Sequence, residues 1–204
     1  MNLLIKQNLS VEQRLQKAVS DIMMKDRYTA LAGLLAIGDR SVRDDVPTAC
    51  TNGRDERYGR AYSEKLNDPE LRFLVLHENY HKLPRHLHIY YHLYKMDPEL
   101  ANMACDFWIN YTLVEENKDK FATMTGALSN GCYDERFKDL GVVEIFNILR
   151  REGQGGGGQG QPNDGQGGGK PFDTHEWEEA QGLSDEEQKE LAKDIDDAVR
   201  QGAL

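Results

Sequence analysis

Apolar and polar positions alternate with a helical period near the N-terminus. Apolar side chains recur at helical spacing from Val11 to Met23. Ser10 precedes this pattern, and a glutamine follows three positions later, which is typical of a capping box. We therefore predict an amphipathic helix that begins after Ser10. The next apolar stretch, 28–37, is rich in alanine and leucine and predicts a second helix that ends at Gly38.

The pattern changes between residues 46 and 62, where no helical period is present. Asn52 and Gly53 lie between two short runs, and this dipeptide is typical of a type I′ turn in a β-hairpin. We predict a small hairpin over Thr48–Tyr58.

Two later segments open with the same four residues, Asp-Pro-Glu-Leu, at 68–71 and at 97–100. In each, the aspartate can cap a helix, the proline suits the first turn, and the glutamate favours the positive helix end. We predict one helix from Asp68 to about Leu83, ended by Pro84, and a second from Pro98 to about Val114.

The C-terminal third divides by composition. A short helix is predicted over 140–151, and the glycine-rich stretch that follows is typical of a flexible linker. Ser184 then opens a charged helix that reaches about Arg200. We predict a compact domain over 1–152, a Gly/Gln-rich linker over 153–170 and an acidic helical tail over 171–204. The fold class is mainly α, or α+β, with the small hairpin.

Charge and composition argue against several classes of function. The net charge is −10, and the tail carries most of it, with 11 acidic and 3 basic side chains. The sequence predicts no basic face that would bind nucleic acid. No apolar run approaches the roughly 20 residues that span a bilayer. The N-terminus lacks a signal-peptide pattern. The three distant cysteines predict neither a disulfide framework nor a metal knuckle, so we expect a cytoplasmic protein.

The main candidate for chemistry is the HExxH sequence at 77–81, on the first Asp-Pro helix. Four residues make about one helical turn, so His77 and His81 point from one face and can chelate one Zn²⁺. Glu78 lies beside them, where it can take a proton from a metal-bound water. The preceding residues are apolar, so the helix is expected to be buried, where polar side chains need a partner. We interpret the motif as a metal site rather than as two unrelated histidines.

A catalytic zinc site needs a third protein ligand and leaves its fourth position to water. Asp106 and Asn110 lie nine and thirteen residues after the second opening aspartate, as His77 and His81 do after the first. If the two helices begin alike, these faces can meet. We therefore favour Asp106 as the third ligand, with Asn110 holding a ligand or the helix pair in place.

His86 is the alternative third ligand, because Pro84 breaks the helix and could fold the chain back. His88 and His92 are weaker candidates. The longer pattern HExxHxxGxxH is not present, since Pro84 takes the glycine position and Leu87 the last histidine position.

A further histidine lies beyond the glycine-rich stretch. His175, together with Asp173, could reach the site and polarise a substrate carbonyl or stabilise an oxyanion. The simpler interpretation is that Phe172 and Trp177 anchor the tail in a groove. The tail helix itself is expected to be a solvated face or an acidic lid over the cleft.

Several of these segments together resemble a zincin-like metallopeptidase family of bacteria and their phages, often found beside a von Willebrand A-like domain. They are Thr-Ala-Cys-Thr-Asn-Gly at 48–53, the HExxH at 77–81, His86, Ala-Cys-Asp-Phe-Trp-Ile-Asn at 104–110 and Phe-Asp-Thr-His-Glu-Trp at 172–177. The likeness runs from about Val11 onward. It implies a zincin-like fold in which His77 and His81 bind zinc and Glu78 is catalytic. In such a fold the hairpin could pair with an extended substrate, or serve only as scaffold.

The expected function is zinc-dependent hydrolysis of peptide bonds in a protein or peptide substrate. His77, His81 and Asp106 would hold the ion, and Glu78 would act as the general base. Mn²⁺, Fe²⁺ and Co²⁺ suit the same ligands. One alternative is a non-catalytic binding or assembly protein on the same scaffold, with a partner on the acidic tail and a structural metal or none. Another is hydrolysis of a non-peptide amide. The resemblance places the protein in a bacterial or phage-infected host cytoplasm.

Overall fold

The computed structural model describes residues 9–155 and 175–202. Most of the predicted linker, 153–170, lies outside the described residues, as do Phe172 and Asp173. The division of the chain into domain, linker and tail therefore stays a prediction.

The described residues are mainly helical, with one small sheet, which confirms the predicted α+β class. The α-helices are α1 Val11–Met23, α2 Ala32–Leu35, α3 Arg60–Ser63, α4 Asp68–Lys82, α5 His86–Ile89, α6 Tyr91–Tyr94, α7 Pro98–Glu116, α8 Val142–Gly155, α9 Trp177–Gln181 and α10 Asp185–Gly202. Short 3₁₀-helices span Asp26–Leu31, Gly126–Leu128 and Glu135–Phe137. The strands are β1 Arg40–Arg43, β2 Ala49–Thr51 and β3 Glu56–Gly59. None of the described helices combines the length and apolar character needed to span a membrane.

The helix starts follow the predicted capping residues, with one difference. Ser10 caps α1 and Asp97 caps α7, as predicted. α4 is capped instead by Asn67, whose Oδ1 accepts from the backbone N–H of Glu70 at 3.0 Å while the Glu70 carboxylate accepts from the Asn67 N–H at 2.9 Å. Asn67 has an extended backbone and Asp68 is already helical, so the cap of this helix lies one residue earlier than predicted.

The prediction of a single helix over 28–37 is wrong, because two shorter helices of different type span most of this segment. A 3₁₀-helix, Asp26–Leu31, is followed by the one-turn helix α2. Tyr28 and Thr29 form helices less readily than the alanines and leucines after them, which accounts for the irregular first part. Gly33 in α2 allows a close approach of α10, because a Cβ there would lie 2.9 Å from that of Ala198.

The predicted hairpin is present, and its turn differs from the expected type. β2 and β3 pair antiparallel, with Cys50 opposite Arg57. Of the Asn52-Gly53 pair only Gly53 has a positive φ, 88°. The Asn52 Oδ1 accepts from the backbone N–H of Arg54 at 2.9 Å and of Asp55 at 2.7 Å. This side-chain-capped loop replaces the type I′ turn.

The sheet has a third strand that the sequence analysis did not predict. β1 pairs in parallel with β3, and the strand order is β1-β3-β2. β2 therefore lies at one edge of the sheet, and it packs against α4.

Two hydrophobic clusters form the core. The first joins α1, α4 and the apolar face of α10, and the second joins α7, α8 and Trp177. In α10, Leu191, Ile195 and Ala198 are buried. The tail helix is thus half solvated and half packed against the N-terminal helices, rather than a fully solvated face.

Candidate metal centre

Two neighbouring helices, α4 and α7, carry the polar residues of the site. α4 is buried around most of its circumference because it lies between the sheet and α7. Its His77, Glu78 and His81 are fully buried, and so are Asp106 and Asn110 on α7. The histidines share one face of α4 because they lie one turn apart. The structure brings that face against the face of α7 that carries the aspartate.

Four ligand atoms converge between these helices. The Nε2 atoms of His77 and His81 are 3.2 Å apart. The Asp106 Oδ1 lies 3.4 Å from the His81 Nε2 and 3.7 Å from the His77 Nε2. A third imidazole joins them, since the His175 Nε2 lies 3.5 Å from the same oxygen. The four residues offer ligand atoms that all lie within 4.8 Å of one another.

These separations fit one tetrahedral divalent cation. Ligands held 2.0–2.1 Å from a tetrahedral zinc ion stand about 3.3 to 3.4 Å from each other. The four separations given above, 3.2, 3.4, 3.5 and 3.7 Å, are close to that value. Three imidazoles and one carboxylate are also donors that zinc and similar ions prefer. His86, His88 and His92 do not contribute to this group.

The orientation of the His77 ring is set by Asn110. The Asn110 Nδ2 donates to the backbone carbonyl of Cys132 at 3.0 Å, so its Oδ1 must face the other way. That oxygen lies 2.8 Å from the His77 Nδ1 and accepts its proton. The Nε2 of His77 is therefore left with its lone pair directed towards the other ligand atoms.

His86 lies on the outer side of the His81 ring. The two Nδ1 atoms are 3.4 Å apart, while the Nε2 of His81 faces the ligand group. The chain returns to this position because Pro84 ends the helix and Arg85 adopts a left-handed conformation, with φ of 55°. His86 is therefore placed to orient His81.

Two of the buried histidines, His81 and His86, are held in their neutral form. Burial, reinforced by the neighbouring imidazoles, lowers the pKa of His81 well below its ordinary value. Burial, together with His175 and His77, lowers the pKa of His86 to about 3. Neutral imidazole is the form that binds a cation, so His81 does not have to lose a proton before it binds one.

Trp177 holds the segment that carries His175. Its ring is buried and stacks on Tyr94 with centroids 5.0 Å apart, and its Nε1 donates to the Asn102 Oδ1. The predicted anchoring role of Trp177 is confirmed. His175 itself lies among the ligand atoms, a position that the sequence analysis did not assign to it. From the sequence, His175 was expected to reach the site as a group that polarises a carbonyl or stabilises an oxyanion, because the spacing alone does not identify it as a ligand.

Comparison with protein families identifies the fold around this site. The family model described as "Putative metallopeptidase domain" matches residues 10–203. The chain belongs to this metallopeptidase family. The match takes in α4, α7 and His175 alike. No curated protein and no solved structure shows significant similarity to the chain.

Glu78 occupies the position after His77 on the buried helix of this metallopeptidase domain. It is turned about 100° around the helix axis from its neighbour, and it is fully buried. Burial raises the pKa of Tyr58 well above its ordinary value, and the charges of Glu56 and Glu78 add to this shift. Glu78 is thus electrostatically coupled to β3.

A buried ionic network of this domain connects α4 with the sheet. Glu56 accepts two hydrogen bonds from Arg40, both 2.8 Å long, and it pairs with Lys82 at the end of α4. Tyr58 donates to the same carboxylate at 2.5 Å. The sequence analysis missed this network, which joins the sheet to the helix that carries the HExxH motif.

Proposed function

We propose that this protein is a zinc-dependent metallopeptidase that hydrolyses peptide bonds in the cytoplasm. The observation that carries the proposal is the convergence of His77, His81 and Asp106 at tetrahedral separations, in a chain of a metallopeptidase family. A bound zinc ion would polarise the scissile carbonyl and lower the pKa of a water in the site. Protein or peptide chains are the substrates.

The chain's own residues then have distinct roles. The Glu78 carboxylate accepts a proton from the attacking water and passes it to the leaving amine. Asn110 and His86 hold the His77 and His81 rings with their Nε2 atoms facing the ligand group. Because these groups are buried, bulk water is kept away from the reaction.

The test uses the full chain, with bound zinc and peptide cleavage measured on the same preparations. We expect stoichiometric zinc in the wild type and in Glu78→Gln, whereas the variant loses cleavage by about 10² to 10⁴-fold. Glu64→Gln, at an exposed position, is the matched control and keeps wild-type cleavage. A metal-free wild-type protein, or full cleavage by Glu78→Gln, would contradict the proposal.

The third ligand is tested separately. Asp106→Ala should lose zinc, because it removes an oxygen 3.4 Å from the His81 Nε2. His86→Ala should retain zinc with lower affinity, since it removes only a partner of the ring. If only the His86 variant loses zinc, Asp106 is not the third ligand.

One observation favours a second candidate, a binding or assembly protein with a structural metal. Four protein donors converge within 4.8 Å of one another, and structural zinc sites likewise have four protein donors and no position left for water. The acidic tail would then dock the partner. This alternative predicts that Glu78→Gln leaves the biological function intact, whereas deletion of 171–204 abolishes partner binding in a pull-down.

A further inference from the structure

The segment 175–181, which we call the arm, covers the metal centre and contacts the hairpin. The backbone N–H of Glu176 donates to the Thr51 carbonyl of β2 at 3.1 Å. The Arg57 guanidinium donates to both Glu179 oxygens, at 2.7 and 2.8 Å, and Asn52 donates to the same carboxylate at 3.0 Å. The arm is therefore fastened to one wall of the site.

The arm also contacts the opposite wall, which is formed by α5, α6 and α7. Trp177 stacks on Tyr94 and donates to Asn102. The Gln181 Nε2 donates to the Leu87 carbonyl at 2.9 Å. The arm thus bridges the hairpin and the helices, with His175 directed at the ligand atoms below it.

The contact with β2 has the form of strand pairing. β2 is paired with β3 on one side only, so its other side is a free edge of the sheet. Thr51 on this edge accepts from a peptide N–H, as it would from an added strand. An extended substrate peptide that pairs with the same edge has to replace the arm.

His175 is also the ligand that can leave most easily. The other three ligand atoms belong to long buried helices, α4 and α7. α9 in the arm has five residues, fewer than the roughly 12 that make a helix stable alone. Its neighbour α10 packs separately on the N-terminal helices, so the arm can move while α10 stays in place.

We propose that the arm is an internal latch, in which His175 is a displaceable fourth ligand and Glu176 occupies the substrate edge of β2. While the arm is bound, it fills the fourth coordination position and occupies the edge of β2 at Thr51. When an extended peptide displaces it, both become accessible together. The proposal rests on the proposed peptidase function, and it explains how a site with four protein donors can catalyse hydrolysis.

The experiment loads the full chain with Co²⁺ and follows its visible absorption while azide is added. The wild type should not respond, because protein ligands fill all four positions. His175→Ala should respond, because azide enters the vacated position. The rate of peptide cleavage by this variant should be about tenfold or more above that of the wild type, because the molecules in which the arm closes the site are no longer populated. His92→Ala, which removes an exposed imidazole, should match the wild type in both measurements.

A second pair of variants tests the latch without changing a ligand. Glu179→Gln breaks the clamp to Arg57 at the surface and should give a partial azide response. Glu190→Gln, at an exposed position on α10, should give none.

The outcomes separate the latch from the peptidase. A wild-type spectrum that shifts with azide as strongly as that of His175→Ala overturns the latch and leaves the peptidase standing. A His175→Ala protein that responds to azide and cleaves no peptide supports the latch and overturns the peptidase. Failure of every variant to bind Co²⁺ overturns both.

Discussion

At the scale of single residues, the candidate metal site depends on side chains that are not among its ligand atoms. Asn110 is held by the Cys132 carbonyl and in turn holds the proton on the His77 Nδ1. His86 occupies the corresponding position on the His81 ring. A ring that is fixed in this way loses less conformational freedom when its other nitrogen binds a metal.

Replacement of Asn110 by alanine should lower zinc affinity by about 10 to 100-fold, because the His77 N–H loses its acceptor and the ring is no longer oriented. Competition with a chelator of known affinity measures this change. Asn147→Ala, at an exposed position on α8, is the control and should keep wild-type affinity. Equal affinity in the two variants would show that Asn110 does not orient the ligand.

At the scale of elements, the junction between the sheet and α4 is ionic rather than apolar. Glu56 is 1% exposed and Lys82 is fully buried. Burial raises the pKa of Glu56, but the charges of Lys82 and Arg40 lower it further than burial raises it, so the net pKa lies below 4.5. The carboxylate is therefore ionised in the folded protein and pairs with both cations.

Replacement of Glu56 by glutamine should destabilise the protein by about 3 to 5 kcal/mol, because the buried Lys82 and the partly buried Arg40 lose their charged partner. Lys82→Met should cost less, since Glu56 keeps its paired hydrogen bonds from Arg40. Urea unfolding measures both free energies of unfolding.

The pH dependence provides the check on this assignment. Because the folded-state pKa of Glu56 is lowered, its contribution is fully present above the ordinary value of 4.5 and is lost as the pH falls through the lowered value. The gap in stability between the wild type and Glu56→Gln should shrink over that acidic range. A gap that does not change with pH would mean that the lost contribution is not ionic.

At the scale of the whole molecule, the metal centre joins distant parts of the chain. Its ligand atoms come from α4, from α7 and from the arm. α4 contributes to the first hydrophobic cluster, Trp177 contributes to the second, and α7 contributes to both. A cation bound here links both clusters and the tail.

Removal of zinc with a chelator should therefore lower the thermal unfolding midpoint of the full chain. A ligand that binds only the folded state adds about 2.7 kcal/mol when its free concentration is 100 times its dissociation constant. Zinc should restore the midpoint in the wild type and leave that of His81→Ala unchanged, as followed by calorimetry. A restored midpoint in His81→Ala would place the stabilising zinc elsewhere.

Local sequence patterns predicted those elements that are stabilised by contacts between residues close in the sequence. α1, α7 and α10 begin at the predicted capping residues because a cap needs only the next three residues. The hairpin was predicted from Asn52-Gly53, although the loop uses the Asn52 side chain rather than two left-handed residues. Asp106 could be predicted from the register of the two helices even though α4 is capped at Asn67 and α7 at Asp97, since one residue of offset still leaves the same helix faces available.

Other features depend on contacts between distant parts of the chain. β1 has no strand-like alternation of its own and forms by parallel pairing with β3. The Glu56–Lys82 pair is a polar contact between β3 and α4, and the periodic pattern of a sequence does not predict such contacts. The helix predicted over 28–37 is interrupted at Leu31, where the 3₁₀-helix is followed by α2, and α10 packs against both parts.

The sequence by itself determined that two imidazoles and a carboxylate lie on one buried helix, because the spacing of the HExxH motif and the helical period are local properties. Only the tertiary structure decided which groups meet them. Asp106 is brought by the packing of α7, and His175 by an arm that is anchored through Trp177. The physical reason is that a ligand group requires several chain segments to converge within a few ångströms, and that convergence depends on the path of the whole chain.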